Sequence, residues 1–462
     1  MAIQAASALS ASEAPGELGV LVTVALATML APLNSTMIAV ALPSVIREFG
    51  VDVAAAGWLV TAYLIAMASL QPVAGKLGDR WGRRQLILGG VASFGLASIG
   101  AALSSSLASL LFFRVLQAVS GAVALPNGAA LLREVVPAER RAGRFGMVGA
   151  AIAFAAAAGP PLGGILVGRA GWRALFEVNL LLIVPTLVIG WRSVPDRPAR
   201  DAGHRFDVPG AILLSAVLVG GAWLLTHGSS DRTEFVGGLV LVALTAVFFK
   251  RELQHPDPVL QPRFFRHRTF AAANAAIALS NLAMYTTLLA IPILLSRRAG
   301  WRSAEVGLVL AAMSAGMVVF SPLGGRLADR LGRRWPTVAG LSLLTIGLVP
   351  LALAGGAVAT GALLTGLALA GAGLGLSAAG MQTAAIEAVG PSGSGVASGV
   401  FSTSRYLGSI IGSSVLGGML GSAPDGVAGF RLVFQMAVAS ALFSVLVSCA
   451  LHDRPRHAQA DA

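Results

Sequence analysis

Apolar positions in this chain fall in continuous stretches of about 20 residues, the length at which a helix crosses roughly 30 Å of hydrocarbon. Charged positions gather between them. From the N-terminus the runs predict spans at 19–43, 55–74, 86–104, 107–131, 145–168, 174–191, 208–227, 235–249, 270–295, 304–324, 336–354, 359–384, 395–420 and 429–451, fourteen in all. The run 235–249 is short, and Phe248, Phe249 and a snorkelling Lys250 would extend it. The pattern is that of an all-α, polytopic membrane protein.

Composition agrees. Of 462 residues, 56% are hydrophobic and 12% charged, against roughly 25% charge in a soluble chain. The single cysteine, Cys449, lies in the last run, which excludes a disulfide scaffold. A first span of about 25 residues fits a retained anchor better than a cleaved signal. A net charge of +12 would invite a nucleic-acid reading in a soluble protein, but its distribution decides otherwise. With the N-terminus inside, 23 of the 33 Lys and Arg fall in cytoplasmic loops, eight fall outside (counting Arg431, at the outer edge of the last span), and two, Arg114 and Arg405, lie deeper within spans. This asymmetry is the positive-inside rule, so the charge reads as topology and contact with anionic lipid, with no nucleic acid. Richness in alanine and arginine (31 Arg against two Lys) suggests a high-GC bacterial gene. The expected location is the bacterial inner membrane, multi-pass, with both termini cytoplasmic, as a monomer.

The chain is organised as two related halves. Gly75-Lys76-Leu77-Gly78-Asp79-Arg80-Trp81-Gly82-Arg83-Arg84 joins the second and third spans. Gly325-Arg326-Leu327-Ala328-Asp329-Arg330-Leu331-Gly332-Arg333-Arg334 joins the tenth and eleventh, 250 positions later. Both copies lie on the same side, as a duplicated six-helix unit requires. The predicted division is a tail (1–18), a six-helix bundle (19–191), linkers (192–269) flanking an inserted pair (208–227 and 235–249), a second six-helix bundle (270–451) and a tail (452–462).

These repeated loops resemble those of the major facilitator superfamily, specifically its fourteen-span drug:proton antiporter branch. The resemblance runs from about Leu33 to the last span, and implies two six-helix bundles around a midplane cavity, working by alternating access. In the loop motif, glycines allow a tight turn. Asp79 is an acid among Arg80, Arg83 and Arg84, able to bond a helix N-terminus and latch the cytoplasmic side shut. The alternative is a solvated loop that only sets topology. The same two readings apply to Asp329, Arg330 and Arg333.

Arg114-Val115-Leu116-Gln117, followed by Pro126-Asn127, resembles the family's second motif, with Ala118 and Ser120 where relatives usually carry glycine. Arg114 lies roughly 10 Å into its helix by rise. It is either a cavity-facing cation that tunes a proton or substrate site together with Gln117, or an arginine tied to carbonyls of a broken neighbouring helix. Gly159-Pro160-Pro161-Leu162-Gly163-Gly164 is similar to the motif that marks antiporters. It implies a kinked, closely packed, leak-resistant interface, the alternative being a kinked packing helix without a role in direction.

The first span departs from its relatives. Leu33-Asn34-Ser35-Thr36 running to Ala41-Leu42-Pro43 matches the branch pattern, but Asn34 stands where many relatives carry aspartate, and asparagine cannot titrate. Glu177, in Trp172-Arg173-Ala174-Leu175-Phe176-Glu177-Val178-Asn179, is the one acid placed just inside a span. It is either a replacement proton carrier or an i,i+4 partner of Arg173. Arg405, in Ser402-Thr403-Ser404-Arg405-Tyr406-Leu407-Gly408, lies roughly 15 Å into its helix. Two intramembrane arginines without an intramembrane carboxylate would leave a cavity electropositive. That favours neutral or anionic amphipathic cargo, unless each is neutralised locally. Asn34, Thr36, Tyr63, Gln71, Asn127, Asn274, Asn281, Tyr285 and Gln382 are the other cavity candidates, each equally able to serve as interhelical glue.

Enzyme readings do poorly. His204, His227, His255 and His267 are scattered, so no metal site is expected, and no Gly-Lys-Ser/Thr phosphate loop follows a strand. No cofactor is expected. The reading is an exporter of small amphipathic molecules, multidrug-type and coupled to protons. An uncoupled facilitator or metabolite importer is the alternative, and a non-transporting membrane sensor a third.

Overall fold

The structure, a computed structural model, describes residues 16–196, 207–227, 232–255, 258–297, 301–354, 358–389, 394–422 and 427–452. Among these, the first half comprises α1 (Glu17–Phe49), α2 (Val53–Trp81), α3 (Arg83–Ala102), α4 (Leu107–Gly121), α5 (Ala124–Val135), α6 (Ala138–Ala170), α7 (Ala174–Glu177) and α8 (Leu180–Ser193). Then come α9 (Val208–His227) and α10 (Arg232–Gln254), a 3₁₀ turn at Pro262–Arg266, and the second half: α11 (Arg268–Arg297), α12 (Ser303–Leu331), α13 (Arg334–Ala354), α14 (Thr360–Glu387), α15 (Ser394–Ser422) and α16 (Val427–Ser448). The linker segment 197–206 and the tail residues 1–15 and 453–462 lie outside the described residues.

Local chemistry explains the boundaries. The Asp52 carboxylate accepts a 2.7 Å hydrogen bond from the Ala55 N–H and so caps the start of α2. The loop motifs are largely helical, because the preceding helices run on to Trp81 and Leu331, and the chain turns only at the eighth motif residue. Gly82 (φ 91°) and Gly332 (φ 87°), at matching positions of the two copies, have left-handed backbone that disfavours other residues. Two predicted spans are broken. The run 107–131 divides into α4 and α5 around Ala122 and Val123, and the run 174–191 divides into α7 and α8 at Val178 and Asn179.

Counting each broken pair as one span, twelve helices among the described residues are long and apolar enough to cross a membrane. Two further helices, α10 with 23 residues and α15 with 29, have the length but more polar sequences. For α10 the polarity is terminal, with Arg232 and Glu234 at one end and Lys250, Arg251 and Glu252 at the other. Between them Phe235, Leu239, Val242 and Val247 are exposed, an apolar surface suited to lipid.

The buried core falls into three clusters whose placement gives the conformation. One, from Val20 and Ile87 to Ile183, belongs to the first half alone. Another, from Phe270 and Leu344 to Ala441, belongs to the second half alone. The largest combines Ile38, Leu59 and Trp172 with Ile291, Leu310 and Leu416 from the other half. The two separate cores lie at the end of the helices carrying the loop motifs, and the shared core lies at the opposite end. The halves are therefore joined at one end and part at the motif end. Glycines at the motif end of α6 (Gly143, Gly146 and Gly149) and Gly399 of α15 face open space.

Candidate functional site

The buried arginine organises the first half. Arg114 is 0% exposed. Its Nε donates to the Leu59 carbonyl at 3.3 Å, and its Nη1 donates to Gln117 Oε1 at 3.1 Å and to Asn34 Oδ1. Asn34 Nδ2 donates to Asn179 Oδ1 at 2.8 Å. Asn179 Nδ2 and Gln117 Nε2 both donate to Ser98 Oγ, at 3.2 and 2.8 Å. The result is a closed polar ring, Arg114–Asn34–Asn179–Ser98–Gln117, drawn from α1, α3, α4 and the α7–α8 break, with α2 attached through Leu59. The break in the sixth span thus places an asparagine between helices.

The guanidinium also lies over the ring of Tyr63, 4.2 Å from its centroid. Burying an arginine in a span costs several kcal/mol. Hydrogen bonds to a charged group return about 1.5–3 kcal/mol each, and a desolvated cation–π contact returns roughly 2. Together these neutral contacts are large enough to hold the cation in place. The contacts differ from both sequence readings: one bond goes to a backbone carbonyl of the unbroken α2 and two go to side-chain amides, Asn34 and Gln117.

A second level bridges the halves. Tyr285 (α11) Oη donates to Ser35 (α1) Oγ at 3.3 Å, and Gln71 (α2) Nε2 donates to Tyr406 (α15) Oη at 3.3 Å. Thr61 and Ser413 pair at 2.8 Å nearer the joined end. The chain has three tyrosines; Tyr63, Tyr285 and Tyr406 lie within electrostatic range of one another, Arg114 within range of Tyr63 and Tyr285, and Arg405 within range of Tyr285. Arg405 is partly exposed, its guanidinium 5.3 Å from the Tyr406 ring centroid. Two cations and three phenols therefore converge between the halves.

Other expected residues are placed elsewhere. Glu177 is exposed at the end of α7 and outside the ring. Its expected partner Arg173 bonds Glu48 instead, at 2.7 Å, so the i,i+4 pair is not what holds this segment. Asn127 ties α5 to α2 through the Ala74 carbonyl, Asn274 accepts from Ser404, and Asn281 and Thr36 donate to their own helices. Gln382 is exposed. Asn127, Asn274 and Thr36 thus serve packing in this conformation.

In the loop motifs, the side chain of Asp79 and that of Lys76 lie outside the described residues, as does the surface at Gly75. Arg83 pairs with Glu134 at the end of α5, at 2.8 Å. Arg333 pairs with Glu387 at the end of α14, also at 2.8 Å, and reaches Asp329 at 3.5 Å. The two motif copies thus make the same clip, from the ninth motif residue to a glutamate ending the fourth span of the same half. Arg84 donates to the Trp191 carbonyl at 2.7 Å, and Arg80 and Arg330 are exposed. Glu134 and Glu387 looked in sequence like ordinary acids at span ends, and only the internal repeat could have paired them.

The fifth-span motif is sandwiched between α1 and α12. A Cβ on Gly159 would collide with Thr36, and one on Gly163 would lie 3.0 Å from the Met37 carbonyl oxygen. A Cβ on Gly164 would lie 2.6 Å from the Gly307 Cα of the other half, which also packs against the Pro160 carbonyl. α6 runs unbroken through Pro160 and Pro161.

Known proteins resemble this chain in sequence and in fold. The chain matches the Major Facilitator Superfamily over residues 24–249 and 273–462. It is 34% identical to the uncharacterized MFS-type transporter YvkA of Bacillus subtilis, over 94% of this chain and 95% of that one. It is 30% identical to the tetracenomycin C resistance and export protein of Streptomyces glaucescens, over 87% and 76%. It is 31% identical to the multidrug resistance protein Stp of Mycobacterium tuberculosis, over 84% and 73%. Among solved structures, the inward open conformation of the xylose transporter XylE from E. coli superposes with a TM-score of 0.65 at 16% identity, covering 92% of this chain and 95% of that one, a likeness of fold alone. The chain belongs to the major facilitator superfamily, a family of multi-pass membrane transporters rather than enzymes.

Proposed function

We propose that this protein exports small amphipathic molecules, neutral or anionic, from the bacterial cytoplasm by alternating access. The observation that carries the reading is the partly exposed pair Arg405 and Tyr406, the latter bonded across the halves to Gln71, with Tyr285, Tyr63 and Arg114 buried nearby. The Tyr406 ring and the partly exposed Arg405 guanidinium offer stacking and hydrogen bonding to an aromatic or acidic cargo. Relatives named for antibiotic export and multidrug resistance support the outward direction. A panel of acidic, neutral and dicationic amphipaths, tested for efflux in a pump-deficient host, checks it. Acids and neutral compounds are expected to be extruded, and Arg405→Gln to lower efflux of acids at least fivefold while sparing neutral ones. Preference for dications would overturn the proposal.

In this reading the chain crosses the membrane fourteen times, with the motif end inside and Asp79 latching that end when it closes. The α9–α10 pair is the finer point. α9 packs against α15, where Thr226 Oγ1 lies 3.4 Å from the Ser414 carbonyl oxygen. Asp207, before α9, bonds Arg251 of α10 at 2.7 Å. A cysteine replacing Ser229, in a Cys449→Ser background, should label from outside in intact cells. Labelling only after permeabilisation would reduce the count to twelve.

Proton exchange is what the resemblance implies for the driving force. The Arg114 ring contains no carboxylate, so a proton carrier would sit outside it. The same observation favours the second reading, an uncoupled facilitator. Uphill accumulation in proteoliposomes under an imposed pH gradient separates the two.

A further inference from the structure

Arg114 is a buried cation to which every bonded group is neutral. Its contacts are the Leu59 carbonyl, the Asn34 and Gln117 amides and the Tyr63 ring face. The ionisable groups near enough to act on it are phenols, Tyr63 and Tyr285. Arg114 Nη2 is buried and has no hydrogen-bond partner among the described residues. A charged donor left unpaired in a low-dielectric interior is costly, and Asn34, which an aspartate would replace as counter-ion, brings a dipole only.

We propose that the free edge of Arg114 is a binding site for one small monovalent anion, which supplies the charge that Asn34 does not. The occupant is either a free halide or the carboxylate of the cargo itself, since both present a single negative charge to the two Nη2 hydrogens. A divalent anion fits poorly, because one charge would remain uncompensated away from water. Arginine is suited to the task by its weak hydration and permanent charge. An anion bound here joins, through Arg114, the polar ring of α1, α3, α4 and the α7–α8 break, and so bears on how the first half holds its shape. The halide occupant is independent of the cargo class proposed above, whereas the carboxylate occupant rests on that reading.

The test is thermal unfolding of the purified full chain, titrated with sodium chloride against sodium sulfate at matched ionic strength, and separately with sodium benzoate as a carboxylate probe. Wild-type protein is expected to gain several degrees, saturably, as anion binding to the folded state requires. Asn34→Asp places a fixed carboxylate beside the guanidinium, so its response to the same anions should be flat, while general salt effects act on both proteins alike. A chloride response assigns the site to free halide, and a response to benzoate alone assigns it to a cargo carboxylate. Equal responses in wild type and Asn34→Asp, or no response in wild type, would overturn the proposal. Equilibrium binding of radiolabelled chloride or benzoate to wild type and to Arg114→Gln gives a second measurement if the aspartate variant is poorly folded. Binding of both ligands that survives Arg114→Gln would equally overturn it.

Discussion

Arg114→Met is expected to reduce transport at least a hundredfold while leaving the protein inserted and folded. Two opposed terms set the stability of the variant. Removing the guanidinium strips a partner from the Leu59 carbonyl, Asn34 Oδ1 and Gln117 Oε1, at about 1–3 kcal/mol for each buried acceptor left unpaired. It also relieves the several kcal/mol spent holding a bare cation inside a span. The two nearly cancel, so the unfolding midpoint should move little. Function has no such compensation. The ring is the polar connection among α1, α3, α4 and the α7–α8 break, and the methionine cannot hold it in register. Arg114→Lys retains the charge but cannot reach Leu59 and the two amides with one planar fork, so it should lose transport nearly as far. Proteoliposome uptake and thermal unfolding of both variants are the measurements. Transport above half the wild-type rate in Arg114→Met would remove the ring from the mechanism.

The helices were legible because hydrocarbon leaves no alternative. A spanning segment must satisfy its own backbone, so apolar length translates directly into helix. The motif glycines were legible for a similar reason, since Gly82 and Gly332 both turn the chain with positive φ. What hydropathy does not contain is the rotation of each helix about its axis, because lipid and protein interior are equally apolar. That is why Glu177 looked like a candidate carrier by depth along the chain and emerges exposed, with Arg173 turned toward Glu48.

The site was half legible. Asn34, Tyr63, Arg114 and Gln117 stand out as polar groups in apolar runs. Ser98 does not, since a serine within a span ordinarily bonds its own helix, and Ser98 does donate to the Phe94 carbonyl at 2.8 Å. Its second role, accepting from both Gln117 and Asn179, exists only once three segments are packed together. Glu17 carries the same lesson. It sits 2% exposed at the start of α1, and its carboxylate meets Arg140 at 3.2 Å and Arg144 at 3.1 Å on α6. In the sequence it is one more acid before an apolar run.

Gly164→Val is expected to lower transport at least tenfold and to hold the joined end of the molecule open. At Gly164 the two halves meet backbone to backbone. An added Cβ would lie 2.6 Å from the Gly307 Cα and 2.7 Å from the Ser303 carbonyl oxygen, and neither atom can rotate aside. From the other side, a Cβ on Gly307 would lie 2.8 Å from the Pro160 carbonyl oxygen. Overpacking of this kind costs about 1–3 kcal/mol, enough to shift a two-state equilibrium roughly 5–150-fold. The cost falls only on the conformation in which α6 and α12 touch, so the population moves toward the other. Gly168, one turn along the same helix, is the internal control. A Cβ there would meet Ala304 at an ordinary 3.5 Å, and alanine favours helix over glycine by about 1 kcal/mol. Gly168→Ala should therefore transport normally and be no less stable. A cysteine at Val306, buried at the joined end, reports the outcome in a Cys449→Ser background. It should be unreactive in the parent and in Gly168→Ala, and should label readily in Gly164→Val. If Gly164→Val transports like the parent with Val306→Cys still protected, the glycine contact is packing alone, and the two halves close through other surfaces.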